Sequence, residues 1–233
     1  MLRRPQVLNA MSVELFDDLA TAVDLVAAGD ARVLVVSGEG RSFSSGIDVN
    51  SLGTVTGAPP EMVARAQAGF RKLAALPIPT IAVVQGHALG AGFQLALACD
   101  LRVVASDTQL GLLEAYYGLI PDLGGSTKLP QLVGVGRAKK MIWLAEKITG
   151  EEAGHLGIAE VVVAADALAA TADELAARLA RVPATVATEA KRLLDAAPRL
   201  DIAAGMDAEA QAQLRCMAAP EFGQAVRGAT ARQ

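Results

Sequence analysis

The chain has 233 residues, 52% of them hydrophobic but only 3% aromatic, and a formal net charge of −4 at pH 7. This length suits one domain with a sizeable core, which must be built from Ala, Leu and Val; the acidic balance argues against a general nucleic-acid surface, and no apolar run approaches the roughly 20 uncharged residues of a membrane span. The two cysteines, Cys99 and Cys216, make no disulfide framework and have no metal-ligand spacing, and the N-terminus has no signal-peptide pattern, so the expectation is a soluble cytoplasmic protein.

In chain order, Ser12 stands where it can cap a helix over 13–28, with Leu15, Leu19, Val23 and Val26 on one face. Gly29 and Asp30 stop it. Arg32 to Ser37 (RVLVVS) reads as a buried parallel strand, followed by a Gly/Ser-rich loop through Gly46, and Pro60 to Leu76 fits a helix with proline in its first turn. Thr80 to Val84 is a β-branched run between prolines and a glycine, too short for a helix. A glycine turn around Gly86, Gly90 and Gly92 follows, then a compact apolar helix ending near Asp100, a strand at Leu101 to Ala105, and an extended segment near Gln109 to Leu113. From Lys128 the pattern is helical: Gly136 to Glu146, Asp173 to Arg181, Thr185 to Ala196 and roughly Ile202 to Met217, with breaks at Pro183, Pro198 and Pro220. Strands alternating with helices predict an α/β fold with largely parallel pairing.

The segment Ile81 to Gly125 concentrates the chemistry. A strand, a glycine turn and a helix aim free backbone N–H groups at the turn, a place for an anion or an oxygen that becomes one. The rival phosphate motifs fail: in Gly90-Ala91-Gly92-Phe93-Gln94-Leu95, Leu95 stands where a dinucleotide fingerprint needs its third glycine, and no Gly-Lys-Ser/Thr is present. His87 lies beside the turn without a recognisable Ser/Asp arrangement, so a packing role is the commoner reading; His155 is expected to face solvent. Asp48 and Asp100 are read as loop anchors rather than ion ligands.

Several motifs accompany this turn in order: Arg4-Pro5 with Asn9-Ala10, Phe43 to Asp48, Gly86 to Gly92 (GHALGAG), Ala98-Cys99-Asp100, Glu114 with Gly118, Ile120 to Gly125, and Thr149-Gly150 with Ala153 and Gly157 to Val161. Together they resemble the crotonase (enoyl-CoA hydratase/isomerase) superfamily across almost the whole chain. The resemblance implies a spiral of repeated ββα units, with a core over 1–183 and a C-terminal helical region over 184–233 in the same domain. That region is expected to drive formation of a homotrimer or a dimer of trimers. The two ends depart from the family. Its first hairpin is missing before Arg4-Pro5, which leaves either an internal start in a longer chain or a trimmed sheet, and Ala229 replaces an expected phenylalanine.

The resemblance also implies roles. The thioester carbonyl of an acyl-CoA substrate would sit between the backbone N–H groups of Ser45 and Ala91. Hydratases of the family carry two glutamates, and here Gln94 occupies the first position and Glu114 the second. An amide can position water but cannot take its proton near neutral pH. One carboxylate suffices to move a proton between two carbons, so a double-bond isomerase is the leading expectation, a hydratase the alternative, and a non-catalytic acyl-CoA binder or assembly subunit the third. Asp122, eight residues after Glu114, matches an aspartate of dienoyl-CoA isomerases or, equally, a cap for the helix near Gly124. Coenzyme A is expected as part of the substrate, with no separate cofactor or metal, held near Gln6, the Ile47-Asp48-Val49 stretch and Arg232, with Arg3 and Arg4 as further cations. Tyr116 and Tyr117 are candidates for the acyl end, and specificity is expected in the Ser51 to Ala75 region.

Overall fold

The computed structural model describes residues 1–48 and 60–230. Val49, Arg232 and residues 51–59 of the Ser51 to Ala75 region lie outside the described residues.

Four strands, β1 (Leu34–Ser37), β2 (Thr80–Val84), β4 (Leu101–Ala105) and β7 (Val161–Val163), form a parallel sheet in the order β1-β2-β4-β7. A second sheet contains β3 (His87–Leu89), β5 (Gln109–Gly111) and β6 (Ile148–Thr149), with β3 and β5 parallel and β6 antiparallel. The chain steps from the first sheet to the second after β2 and again after β4. An isolated parallel bridge from Ser44 to Ala88 lets the segment after β1 do the same. This is the repeated ββα spiral, and it corrects one expectation: His87–Leu89 is a strand inside what the sequence shows as a glycine turn. Three residues between glycines carry too little pattern to reveal it.

Gly86 makes the corner between β2 and β3, with φ +63; a methyl group there would lie 2.0 Å from the Arg41 carbonyl oxygen. Along β2, side chains alternate between two cores. Ile81 and Val83 face Leu168 and Ala172 of a covering helix, while Ala82 and Val84 face the larger core. Burial on both faces is why β2 reads as a continuous apolar run.

The helices are α1 (Val13–Ala28), α2 (Pro60–Ala75), α3 (Ala91–Ala98), α4 (Gly125–Val133), α5 (Val135–Leu144), α6 (Gly150–His155), α7 (Leu168–Leu179), α8 (Ala184–Ala196), α9 (Ile202–Ala218) and α10 (Pro220–Thr230). Ser12 holds the N-cap position of α1, but its side chain accepts no capping bond. Gly134, with φ +78, separates α4 from α5, and α7 starts before Asp173 because Leu168 and Ala172 anchor it to the sheet. Strands β6 and β7 interrupt the stretch read as helical; tertiary pairing decides these short segments.

Arg102, only 3% exposed, holds the middle of the molecule together: it donates to the carbonyl oxygens of Ile158, Cys99 and Asp100 and to the Glu160 carboxylate. At the C-terminal end, α8 is fixed to the body by Thr188 Oγ1 donating to the Pro77 carbonyl (2.9 Å) and Lys191 Nζ to Asp100 (2.8 Å). Asp100 also accepts from the Thr80 N–H and hydroxyl, so it is a loop anchor as expected. Arg215 of α9 pairs with Glu189 of α8. No described helix is long and apolar enough to cross a membrane.

Candidate active site

The site is built where the first turn of α3, the 3₁₀ turn Glu114–Tyr117 and the start of α4 meet. Every residue of α3 is buried, so its one polar side chain, Gln94, must be satisfied internally. Its Oε1 accepts from the backbone N–H groups of Leu123 (2.8 Å) and Gly125 (3.0 Å). These two donors fix the amide's orientation and leave Nε2 to donate to Glu114 Oε1 at 2.7 Å. Gly125 is required for this grip, since a methyl group there would stand 2.9 Å from Gln94 Cγ.

Glu114 is half-buried, and its Oε2 is fully buried with no hydrogen-bond partner among the described residues. The carboxylate lies over the turn: a methyl group on Gly90 would be 3.5 Å from Oε1. Burial pushes the Glu114 carboxyl up from its ordinary value; its own backbone N–H and the Gln94 amide pull partly back, and the nearby Asp122 charge adds to the rise. Asp122 is also half-buried and raised, chiefly by burial. It does not cap α4, whose N-cap residue is Gly124 at φ +103 with no side-chain cap, so that alternative is set aside. Gln67 Nε2 donates to the Asp122 carbonyl at 2.7 Å and holds the loop to α2.

The backbone donors differ from expectation at one position. The Ser45 N–H donates to the Leu8 carbonyl oxygen at 2.9 Å and is spent. Gly46 C=O and Asp48 N–H are both taken by Met11, so strand alternation turns the Ile47 N–H the other way, where it has no acceptor among the described residues. The Ala91 N–H, at the first position of α3, is likewise unpaired. Gly46 brings the two loops together: a methyl group on it would lie 2.8 Å from the Leu89 carbonyl oxygen and 3.7 Å from the Ala91 nitrogen. No local signal marks Ile47, because its freedom depends on the distant residue Met11, as the loss of the Ser45 N–H depends on Leu8. The grip on Gln94 had a partial signal in the Gly124-Gly125 doublet.

Other candidates fall into place. His87 Nδ1 is 3.0 Å from Ser42 Oγ, a pair the spacing did not show, yet Ser42 is 1% exposed and no carboxylate bonds the ring among the described residues. His155 is exposed at the end of α6. Asp48 pairs with Arg4 at 3.1 Å, and Arg4 also donates to the Ala10 carbonyl, so Arg4 is engaged within the protein. Arg3 and Gln6 are exposed. Tyr116 and Tyr117, at 70% and 61% exposure, do not cover the site in the single chain. Burial pushes the Cys99 thiol up to about 12, which makes it inert. No group of three or more metal-ligating side chains occurs among the described residues.

A site with one fixed carboxylate and two free backbone donors can bind an oxyanion and move a proton. The family model for enoyl-CoA hydratase/isomerase matches residues 1–228. The chain belongs to the enoyl-CoA hydratase/isomerase family. Among its relatives, the Bacillus subtilis protein named "Putative enoyl-CoA hydratase/isomerase YngF" is 35% identical over 214 residues, spanning 91% of this chain and 82% of that protein. The crotonyl-CoA hydratase of Syntrophomonas wolfei is 32% identical over 220 residues, 93% of this chain and 85% of that one. A Thermobifida fusca structure, described as "a putative enoyl-CoA hydratase" in complex with acetoacetyl-CoA, superposes with a TM-score of 0.87 at 40% identity, covering 92% of this chain and 89% of that chain. Enoyl-CoA hydratase/isomerase membership thus agrees with the spiral fold and with the resemblance carried by the motifs.

Proposed function

We propose that this enoyl-CoA hydratase/isomerase family enzyme shifts a double bond within an enoyl-CoA, with Glu114 as the proton carrier. One observation carries the reading: Gln94 stands opposite Glu114 with both amide atoms committed, so no second carboxylate is in contact with the first. Loss of a proton from the carbon next to the thioester puts negative charge on the carbonyl oxygen. The unpaired Ile47 and Ala91 N–H groups are the donors suited to that oxygen, and Ile47 replaces Ser45 in this role. Glu114 Oε2, buried and unbonded, takes the proton and returns it two carbons away; Oε1 stays held by Gln94. A raised carboxyl suits both halves of that cycle, since it accepts a proton readily and holds it long enough to deliver it.

A second reading is hydration of a 2-enoyl-CoA, and the Asp122 charge near Glu114, which adds to the rise of the Glu114 carboxyl, favours it. The names of the relatives also lean that way. Glu114→Gln separates the readings when the purified chain is given a 3-enoyl-CoA and a 2-enoyl-CoA in turn. The isomerase reading expects growth of conjugated-enoyl absorbance from the first substrate and its loss, by about 10²- to 10⁴-fold, in the variant. Water addition by the wild type, with no growth of that absorbance from the 3-enoyl substrate, would favour the hydratase.

The assembly reading rests on α9, where Ile202, Met206 and Leu214 are 84%, 64% and 60% exposed. Such an apolar stretch suits contact with further copies of the chain, as expected for a trimer.

A further inference from the structure

A cavity of about 630 Å³ opens beyond Gln94 and Asp122, between α2, α3, α4 and the C-terminal end of α8. Because Gln94 and Asp122 line it, and Gln94 also bonds Glu114, the cavity adjoins the reaction site. Its size suits a small organic group.

The lining departs from what an aliphatic tail would favour. Arg71 from α2, Lys128 from α4 and Arg199 beyond α8 line it together with the carboxylates of Asp122 and Asp195, so cations outnumber acids three to two. Lys128 faces Asp195 at 3.4 Å, but neither guanidinium has a carboxylate partner among the described residues. Arg71 donates to the side-chain oxygen of Gln67, and Arg199 to the Asp195 backbone carbonyl at 3.1 Å. Both arginines therefore rest on neutral acceptors. A methyl-ended chain lying here would remove water from these cations without replacing its hydrogen bonds, whereas a carboxylate would gain paired, charge-assisted bonds from a guanidinium.

Building on the acyl-CoA reading above, we propose that the acyl group of the substrate carries a polar, anionic distal end, a carboxylate, that occupies this cavity and is held by Arg71 and Arg199. The apolar wall formed by Phe70 and Leu123 accommodates the few carbons between the reacting atoms and that end. The substrate class is then a short dicarboxylic enoyl thioester.

The test uses the full chain and two saturated thioesters of equal length, adipoyl-CoA with a terminal carboxylate and hexanoyl-CoA with a terminal methyl, titrated calorimetrically. Neither ester has a double bond to move, so the result does not depend on turnover. Tighter binding of adipoyl-CoA by tenfold or more, with the ratio falling toward one in both Arg71→Gln and Arg199→Gln, supports the proposal. Equal or tighter binding of hexanoyl-CoA, a ratio that survives both substitutions, or failure of either ester to bind overturns it. Both arginines are exposed, so the variants are expected to fold. A preference for adipoyl-CoA without any shift of the double bond in 3-hexenedioyl-CoA would leave this inference standing and remove the isomerase reading; shift of 3-hexenoyl-CoA without the binding preference would do the reverse.

Discussion

Gln94 Nε2 donates to Glu114 Oε1 at 2.7 Å while the other oxygen of the same carboxylate is buried and unbonded. The two oxygens of Glu114 are thus made unequal, one structural and one available for chemistry. The asymmetry is imposed from outside the pair by the Leu123 and Gly125 N–H groups, which hold the Gln94 oxygen and leave its nitrogen no other direction.

Gln94→Glu keeps the two backbone donors but turns the contact with Glu114 into one between carboxylates. Two acids at that distance share a proton, so one of them is pushed further up. The expected outcome is a gain of about tenfold or more in water addition to a 2-enoyl-CoA and a lower rate of double-bond shift. Both are read by absorbance, with product mass confirming the hydroxyacyl ester.

The pH dependence follows from two raised carboxyls, Glu114 above 4.5 and Asp122 above 3.8. Proton removal by Glu114 needs its ionised form, so the acid limb of kcat/KM for the wild type should lie above the ordinary glutamate range. For stability, a carboxyl raised in the folded state binds its proton more tightly folded than unfolded. Folding stability therefore falls as pH rises through the window from the ordinary values to the raised ones, and the loss is recovered below it. Denaturation at several pH values should show a shallower fall for Glu114→Gln.

Ala91→Pro replaces one backbone N–H by a ring carbon that also occupies the space in front of it, so it removes the donor and crowds the oxyanion at the same time. Proline is tolerated in the first turn of a helix, and the preceding Gly90 has no side chain to meet the ring. Loss of one oxyanion donor should lower kcat by about 100-fold, near 3 kcal/mol, with a small change in thermal midpoint. An unaltered kcat in a folded variant would remove Ala91 from the site.

Arg102→Met tests the centre of the fold. It leaves the carbonyls of Ile158 and Cys99 without their donor and Glu160, whose side chain is 31% exposed, without its partner. Urea unfolding should show a loss of about 3 kcal/mol, the scale for breaking a buried pair from one side.

Much of this protein is written locally. The boundaries of α1, β2 and β4 follow from periodicity and from Gly, Pro and β-branched residues, because burial of one face or both imposes its own spacing on the chain. Gln94 and Glu114 are legible for a similar reason: side-chain chemistry is a property of the residue at the position. Tertiary structure alone decided which backbone N–H groups remain free. Ser45 lost its donor to Leu8, and Ile47 kept its own because Met11 pairs with the atoms on either side of it. It also decided that the Gln94 amide presents nitrogen rather than oxygen to Glu114, through donors 29 and 31 residues away, and that Asp122 stands outside the cap of α4. Every residue carries the same main-chain groups, so their availability is set by which remote segment folds against them.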